Sequence, residues 1–474
     1  MNGVKKLACG FVLSAAVALC AASASATTWT YSGGTITDGD WTLNCTYTVG
    51  QSSITIGAVA TTAASGILDL REMSVTDGTT AASITRIGFN ANWDNGVAIK
   101  ALYADCAASL PRLMQNTTLE TVVVANPQLT SIPGYVFWGC SKLTSDIAGI
   151  VTPEATSIGQ NAFNGSGVTG KLTLTNVTTM ASGSFQNTKI VDVEIVSDTL
   201  TAISSAFYQC AELTNATITC KNLTELSGTF GYCGAKLKTV LLNCPKLTTI
   251  GANTFTQAIR LSVDDSYVCP PSVMSIGNNA FSGTSVTGIL VLTNLTSIGT
   301  SAFHSSGLQE IEIAGPLETI QGFYYNRGLT NATFNCPNAT IIAAQSFQYS
   351  SALKSFTIKC PALTSIGANS FGNIGAPMTL SIMNQPWKSA NTDYTATILD
   401  GFLVRQGAVS SASYSVIYAD KREWSGYALA FTDAEKVYKP EKAYGTYASA
   451  GDVRKAFFVN PIWAKTAGLS VHFF

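Results

Sequence analysis

Histidine is the scarcest of the side chains that could act as a general base in this chain. The 474 residues contain only two, His304 and His472, and a Ser–His–Asp or Cys–His arrangement would have to use one of them. His304 follows Phe303 at a position that Asn, Ser, Gln, Tyr or Thr fills in similar segments, as in a variable surface turn. No Walker loop or dinucleotide-binding fingerprint occurs. We therefore predict no catalytic residue and no cofactor, and we expect a protein that is not an enzyme.

Ten cysteines follow residue 26, and most of them recur at two kinds of position. One group follows short β-branched runs, and the other lies three residues after a phenylalanine: Cys220, Cys244, Cys336 and Cys360, then Cys140, Cys210 and Cys233. No C-x-x-C pair is present, so we predict no metal site. Two alternatives remain for the thiols. They form a ladder of buried free thiols, or a few of them form disulfides between neighbouring strands.

The composition indicates a β-rich exported protein. Only 12% of the residues are charged, 46% are hydrophobic and the net charge is −1. Such a chain is too apolar for a disordered protein. It also lacks the basic excess of a nucleic-acid binder, so we predict no nucleic-acid partner.

The first 26 residues have the pattern of an export signal. Lys5 and Lys6 precede an apolar run, and Ala24 and Ala26 occupy the −3 and −1 positions of a cleavage site. We predict cleavage after Ala26, with an uncleaved anchor as the alternative. No later stretch is long and apolar enough for a spanning helix, so we predict no transmembrane segment after cleavage.

The elements that would position any functional residue come from a repeat. The phrase "LTSIGTSAF" (295–303) returns with small changes as "ATSIGQNAF" (155–163), "LTTIGANTF" (247–255) and "LTSIGANSF" (363–371). Its closing phenylalanine recurs every 20 to 26 residues. The series is Phe137, Phe163, Phe185, Phe207, Phe230, Phe255, Phe281, Phe303, Phe323, Phe347 and Phe371.

A second pattern follows each phenylalanine and predicts a strand. Examples are "LTNATI" (213–218), "LQEIEI" (308–313) and "LKSFTI" (353–358), in which apolar residues alternate with variable ones. One strand per period of 20–29 residues is typical of a leucine-rich solenoid. A single repeat buries too little apolar surface to fold alone, so each repeat needs its neighbours. The shared core predicted in this way includes Phe163, Phe185, Phe207, Phe255, Phe281, Phe303, Phe347 and Phe371.

The repeat resembles the BspA-type, or treponemal-type, leucine-rich repeat of bacterial surface proteins. That family's pattern is close to L-x-x-I-x-x-x-A-F-x-x-C-x-x-L-x-x-I. "AFYQCAELTNATI" (206–218) matches it, cysteine included, and "VFWGCSKLTSDI" (136–147) nearly does. In many other copies Gly, Ser or Asn replaces the cysteine. The resemblance implies a right-handed coil with a parallel β-sheet on the concave face and short turns or 3-10 segments on the convex face.

These patterns divide the chain into four parts. They are a signal peptide (1–26), an N-terminal β cap (27–66), a β-rich leucine-rich-repeat solenoid (67–382, with about eleven clear repeats from residue 119) and a β-rich aromatic C-terminal domain or cap (383–474). Asp38 and Asp40 in the cap are typical of an ordinary turn rather than a calcium site. The last part offers an alternative function, a carbohydrate-active or sugar-binding domain. Its candidate carboxylates are Asp393, Asp400, Asp420, Glu423, Asp433 and Glu435.

The predicted binding site is the outward face of the solenoid strands, because solenoids use such extended faces for binding. Its candidate residues are Thr214, Asn215, Lys238, Thr239, Gln309, Glu310, Glu312, Lys354 and Ser355. We predict a secreted or cell-surface bacterial protein that binds a protein or glycan partner. The resemblance suggests an adhesion-like role, and a passive envelope protein is a further alternative.

Overall fold

The structure is a computed structural model, and it describes more than two thirds of the chain. The described residues are 27–94, 97–261, 268–360, 362–363, 365–367 and 369–373, together with strands at 378–382, 414–418, 431–433, 436–438 and 470–473. The predicted signal peptide and most of the predicted C-terminal domain lie outside these residues.

The described part of the chain begins, from residue 27, with short strands joined by tight turns. The first eight are β1 (Thr28–Ser32), β2 (Thr35–Thr37), β3 (Thr42–Tyr47), β4 (Ser53–Thr61), β5 (Ile67–Asp69), β6 (Ser74–Thr76), β7 (Ala81–Ser83) and β8 (Arg86–Phe89). All except β5 form one mixed sheet in the order β7-β6-β1-β2-β3-β4-β8. Asp38 closes one of its turns, because its Oδ1 accepts the backbone N–H groups of Asp40 and Trp41.

The N-terminal sheet extends past residue 66, where the sequence places the end of the cap. β6 pairs in parallel with β1, and β8 pairs in parallel with β4, so the edges of the β1–β4 meander are covered. β5 instead joins the parallel sheet β10-β9-β5. The indole of Trp41 donates to the carbonyl of Ile67 at 2.6 Å. The N-terminal sheet and the first coil strand are therefore held together.

The coils supply the remaining strands and one short helix. The first part contains β9 (Ala101–Tyr103), β10 (Thr121–Val123), β11 (Ser131–Ile132), a 3-10 helix (Ile147–Gly149), β12 (Ser157–Ile158), β13 (Thr169–Leu174), β14 (Thr179–Met180), β15 (Lys189–Ser197), β16 (Ala202–Ser204), β17 (Asn215–Cys220), β18 (Glu225–Ser227), β19 (Thr239–Asn243), β20 (Thr249–Ile250) and β21 (Ser275–Ile276). The second part contains β22 (Ile289–Leu292), β23 (Ser297–Ile298), β24 (Glu310–Ala314), β25 (Thr319–Ile320), β26 (Asn331–Asn335), β27 (Ile341–Ile342), β28 (Ser355–Ile358), β29 (Ser365–Ile366), β30 (Met378–Ile382), β31 (Tyr414–Tyr418), β32 (Phe431–Asp433), β33 (Lys436–Tyr438) and β34 (Ser470–Phe473).

Most of the described coils contribute one short and one longer strand, and the two kinds form separate parallel arrays. The longer strands form β13-β15-β17-β19 and β22-β24-β26-β28-β30-β31-β34, which we call the long-strand sheet. The short strands form β11-β12-β14, β16-β18-β20-β21-β23 and β25-β27-β29, which we call the short-strand ribbon. The ribbon carries the "SI" dipeptide of the repeated phrase. β32 and β33 pair with each other in antiparallel fashion.

The phenylalanines form a continuous stack through the coils. All eleven are at most 1% exposed. Successive ring centroids lie 4.9 to 5.8 Å apart, and most ring planes are within about 13° of parallel. Their backbone N–H groups also bond to the next coil, as Phe281 N does to Ala302 O at 2.7 Å. Each coil therefore buries its aromatic ring only between its two neighbours.

The turn around each phenylalanine has a constant backbone shape. The residue two positions after the ring has a positive φ in every one of the eleven coils, from Gly139 (φ 69°) to Asn373 (φ 58°). Glycine occupies this position in three coils and Asn in two, which are the residues that adopt left-handed backbone most readily. Bulky residues, Tyr232, Tyr325 and Tyr349, occupy it in three others.

The predicted fold class is confirmed. The described chain is a β-solenoid of about eleven coils with parallel sheets and almost no helix. The 3-10 helix Ile147–Gly149 is the one helix of three residues or more that this part of the chain contains, and turns elsewhere replace the expected 3-10 segments. The sequence did not reveal the short-strand ribbon, because a two-residue strand is too short to show alternation.

Candidate binding surface

The long-strand sheet presents an outward face of hydroxyl, amide and a few charged side chains. Along each strand, buried inward residues alternate with half-buried outward ones. Ile218 and Leu242 face inward, and the residues directly before them, Thr217 and Leu241, face outward. The register places Glu194, Thr217 and Leu241 side by side on β15, β17 and β19. The alternation therefore produces a flat, continuous row across neighbouring coils.

Four of the predicted site residues lie together on the first part of the long-strand sheet. Asn215 and Thr239 are paired across β17 and β19, and Thr214 and Lys238 directly precede them. Asp192 of β15 extends this group, because its Oδ1 accepts the Thr214 hydroxyl at 3.0 Å and the Asn215 amide at 2.8 Å. The negative charge of Asp192 is thus held by neutral donors of the same surface.

The other five predicted residues lie on the second part of the long-strand sheet. Glu310 and Glu312 point outward from β24, preceded by Gln309, and Ser355 lies on β28, preceded by Lys354. β26 separates the two strands, and its Asn331 donates to Glu310 Oε1 at 2.9 Å. The structure therefore brings the nine predicted residues into two groups rather than one.

Sequence reasoning missed several outward residues. Thr217, Thr333 and Thr357 occupy the next outward position of their strands. Ile289 and Val291 of β22 are exposed by 55% and 42% beside Glu310 and Glu312. The run "GILVL" gave the signal for these two, since apolar residues fill both faces of the strand.

Charges on this face are partly neutralised. Lys171 and Glu194 form an ion pair of 2.6 Å across β13 and β15. Both side chains are about half exposed, so the pair adds little stability. Its effect is to leave recognition to hydrogen bonding and shape rather than to long-range attraction.

The phenylalanine core residues all lie inside the coil stack, and His304 lies outside it in a turn. The His304 Nδ1 is 3.3 Å from the Ser282 hydroxyl, and burial lowers the pKa of its ring. Within the described residues, no three His, Cys, Asp or Glu side chains gather closely enough to hold a metal ion. Of the candidate C-terminal carboxylates, all but Asp433 lie outside those residues.

The thiols at the position three residues after phenylalanine act as hydrogen-bond donors between coils. Cys140 donates to Leu113 O at 2.9 Å, Cys210 to Phe185 O at 3.1 Å and Cys233 to Phe207 O at 3.1 Å. At the same position Asn326 donates to Phe303 O at 2.8 Å. The recurring cysteine is thus a small buried donor, and Asn326 takes the same role in a coil that lacks it.

The thiols at the strand ends form neighbouring pairs. Cys220 and Cys244 lie at equivalent positions of adjacent coils, as do Cys336 and Cys360, and the thiols of Cys244, Cys336 and Cys360 each donate to a backbone carbonyl of the preceding coil. All four are buried thiols. If either pair formed a disulfide, its two cysteines would be alkylated only after the protein had been reduced.

Cys45 and Cys106 give a test of the thiol environment. Burial raises the pKa of each thiol from 9.0 to about 11, helped at Cys106 by the Asp105 carboxylate. Because only the thiolate reacts, iodoacetamide at pH 8 should modify both about 100-fold more slowly in the native protein than in urea. Peptide mass mapping over time measures the rates. Native rates within about threefold of the unfolded rates would contradict this account.

The stacked parallel coils and their outward strand face define a leucine-rich-repeat solenoid. The family model "BspA type Leucine rich repeat region" matches residues 130–262 and 265–379 in six copies, just over half of the chain. The chain therefore belongs to the BspA-type leucine-rich repeat family, as the sequence predicted. Among the residues described, no helix has the length and hydropathy needed to cross a bilayer.

Two solved structures are similar to the chain. A leucine-rich repeat protein from Bacteroides ovatus ATCC 8483 is 16% identical, with 75% of this chain and 97% of that chain covered and a TM-score of 0.46. A leucine rich cell surface protein from Faecalibacterium prausnitzii A2-165 is also 16% identical, with 84% and 98% covered and a TM-score of 0.27. No curated protein matches the chain.

Proposed function

We propose that this chain is an exported bacterial surface protein, not an enzyme, that binds an extracellular protein through the outward face of its long-strand sheet. The observation that carries the proposal is the row of outward hydroxyl and amide side chains on a rigid parallel sheet, exemplified by Thr217, Asn215 and Thr239. Family membership supports a surface location, and the pattern of residues 1–26 supports export.

The surface has the properties of a protein-binding face. Many of its side chains are short threonines or are already bonded to neighbours, as Asn215 is to Asp192 and Asn331 to Glu310, so these lose little side-chain freedom on binding. The Asn243 amide, for example, donates to Thr219 Oγ1 at 3.2 Å across β19 and β17. An extended partner contacting several coils at once would bury a large area without any deep pocket.

Substitution of the face tests this proposal. Thr217→Arg with Thr333→Arg places one bulky side chain on each part of the long-strand sheet, where Glu194 and Glu312 are the paired neighbours. We expect this variant of residues 27–474 to bind bacterial or epithelial cell surfaces at least about tenfold more weakly than the wild type. Labelled protein and flow cytometry measure the binding.

The matched control places the same residues on the other array. Thr179→Arg with Ser297→Arg changes two exposed positions of the short-strand ribbon and should leave binding within about twofold.

Protease treatment of the cells should abolish wild-type binding. Binding that survives protease but not glycosidases would favour a glycan partner. No binding to any cell would favour a passive envelope protein, and a secreted form that does not begin at Thr27 would contradict the export site.

A further inference from the structure

Aromatic side chains gather at the surface of three successive turns. His304, Tyr324, Tyr325 and Tyr349, with Arg327, form what we call the turn aromatic cluster. The His304 and Tyr324 rings stack at 5.2 Å and 15°, and the Tyr325 and Tyr349 rings lie 4.6 Å apart. Tyr324 joins the two halves through contacts of 5.1 Å to Tyr325 and 5.9 Å to Tyr349.

The cluster lies outside the phenylalanine stack and is in contact with solvent. Its members occupy the first and second positions after Phe303, Phe323 and Phe347, and all four rings are half-buried whereas those phenylalanines are buried. Elsewhere the same two positions usually hold small or polar residues, such as Asn164 with Gly165 or Ser282 with Gly283. The aromatic rings are therefore not a requirement of the coil.

Two of the rings are held at a conformational cost. Tyr325 and Tyr349 have φ values of 65° and 63°, at the position where Gly139, Gly165 and Gly283 occur in other coils. Left-handed backbone is unfavourable for a bulky side chain, and bulky residues held in it are enriched at functional sites. Because both rings lie outside the phenylalanine stack, core packing does not account for these tyrosines.

The turns beneath the cluster are rigid. Asn326 is fully buried, donates to the carbonyls of Phe303 and Phe323 and accepts the Ser306 hydroxyl at 2.7 Å. Backbone bonds also link the turns, with Tyr325 N donating to Gln348 O at 2.8 Å. The rings are thus presented in a fixed arrangement, as a binding platform requires.

A polar side chain completes the cluster. Gln348 occupies the same turn position as His304 and Tyr324, and its exposure is 9%. Its amide oxygen is buried and has no hydrogen-bond partner within the described residues. Buried polar atoms are nearly always bonded, so this oxygen is an unpaired acceptor in the turn that carries Tyr349.

The chemistry of the cluster selects a neutral ligand with both apolar and hydroxyl surfaces. The Arg327 guanidinium is the charged group in contact with the rings. It lies over the Tyr325 ring, 4.9 Å from the ring centroid, and forms a cation–π interaction with it. Tyrosine rings offer an apolar face for the C–H groups of a sugar ring and a hydroxyl for its edge. Exposed Ser305 and Gln345 add hydrogen-bonding groups at the rim.

We propose that the turn aromatic cluster is a carbohydrate-binding site that accommodates a short run of neutral sugar residues. The phenylalanine rings below repeat every 4.9 to 5.4 Å in these coils, a rise comparable to the length of one sugar residue in an extended chain. The site lies apart from the long-strand sheet and does not rest on the function proposed for that sheet.

Glycine substitution tests the site without damaging the fold. Tyr325→Gly with Tyr349→Gly installs the residue that other coils carry, so the melting temperature should stay the same or rise. Affinity electrophoresis of residues 27–474 through gels containing soluble β-glucan, arabinoxylan or mannan measures binding. We expect at least one polysaccharide to retard the wild type and the double variant to bind at least about tenfold more weakly.

A matched control distinguishes the loss of the turn aromatic cluster from the effect of replacing any tyrosine at this repeat position. Tyr232 has the same repeat position and a φ of 57° but lies in a different turn, where it contacts Tyr208, so Tyr232→Gly should leave retardation within about twofold. Tyr324→Gln, which repeats the residue of the next coil, gives a second test that does not change the left-handed backbone. Retardation by none of the three neutral polysaccharides, retardation by heparin alone, or double and Gln variants that bind like the wild type would overturn the proposal.

Discussion

Phe281→Ala should lower the free energy of unfolding of residues 27–474 by about 3–5 kcal/mol. The Phe281 ring is fully buried and stacks on Phe255 at 5.1 Å and on Phe303 at 4.9 Å. Removing it leaves a cavity and breaks the aromatic contact on both sides. Urea denaturation followed by circular dichroism measures the loss.

The same substitution should also change the shape of the unfolding curve. Solenoid stability depends on coupling between neighbouring repeats, so weakening one interface in the middle should broaden or split the transition. Phe281→Leu keeps most of the volume and should cost less than about 2 kcal/mol with a single transition. A loss below about 1 kcal/mol for Phe281→Ala would show that the stack does not couple the coils.

Gly277→Ala should be at least as damaging, with an expected loss of about 3 kcal/mol or more. A Cβ atom at Gly277 would lie 2.4 Å from the backbone nitrogen of Ala252 and 2.6 Å from the carbonyl carbon of Gly251. These atoms belong to the backbone of the preceding coil and cannot rotate away. The glycine of the repeated "SIG" phrase therefore exists because two coils touch backbone to backbone.

The corresponding positions of other coils provide the control. Ala343 follows Ile342 as Gly277 follows Ile276, so its coil already accepts a methyl group there. Ala343→Gly should cost no more than about 1 kcal/mol, through backbone freedom alone. Equal losses in urea denaturation for Gly277→Ala and Ala343→Gly would mean that coil contact is not the reason for the glycine.

The sequence predicted the parts of the fold that follow from the 20–26-residue period. The phenylalanine spacing identified the stacked core, and alternation in runs such as 213–218 identified the longer strands. The end of the N-terminal sheet was not visible, because β6 and β8 join it through parallel pairing with β1 and β4, which leaves no local signal. The left-handed turn positions could not be predicted either, because their residue type varies from coil to coil.

The binding surfaces were predicted less completely than the core. The nine candidate residues follow from outward positions near the start of each strand. Their division into two groups depends on which coils are neighbours, and this is known only from the structure. The turn aromatic cluster joins residues that are 20 to 25 positions apart. Aligning the turns on Phe303, Phe323 and Phe347 places His304, Tyr324 and Gln348 in one column, so the repeat contains this signal, but it resembles the ordinary variability of a turn position.

Photo-crosslinking from the long-strand sheet tests the central functional proposal most directly. A benzoylphenylalanine at Thr217, which faces outward on β17, is compared with one at Thr179 on the short-strand ribbon. We expect that, of these two probes, only the one at Thr217 crosslinks a discrete cell-surface protein, and that mass spectrometry identifies the same protein from a probe at Thr333. Crosslinks of equal yield from Thr179, or none from Thr217 and Thr333 while the protein still binds cells, would contradict it.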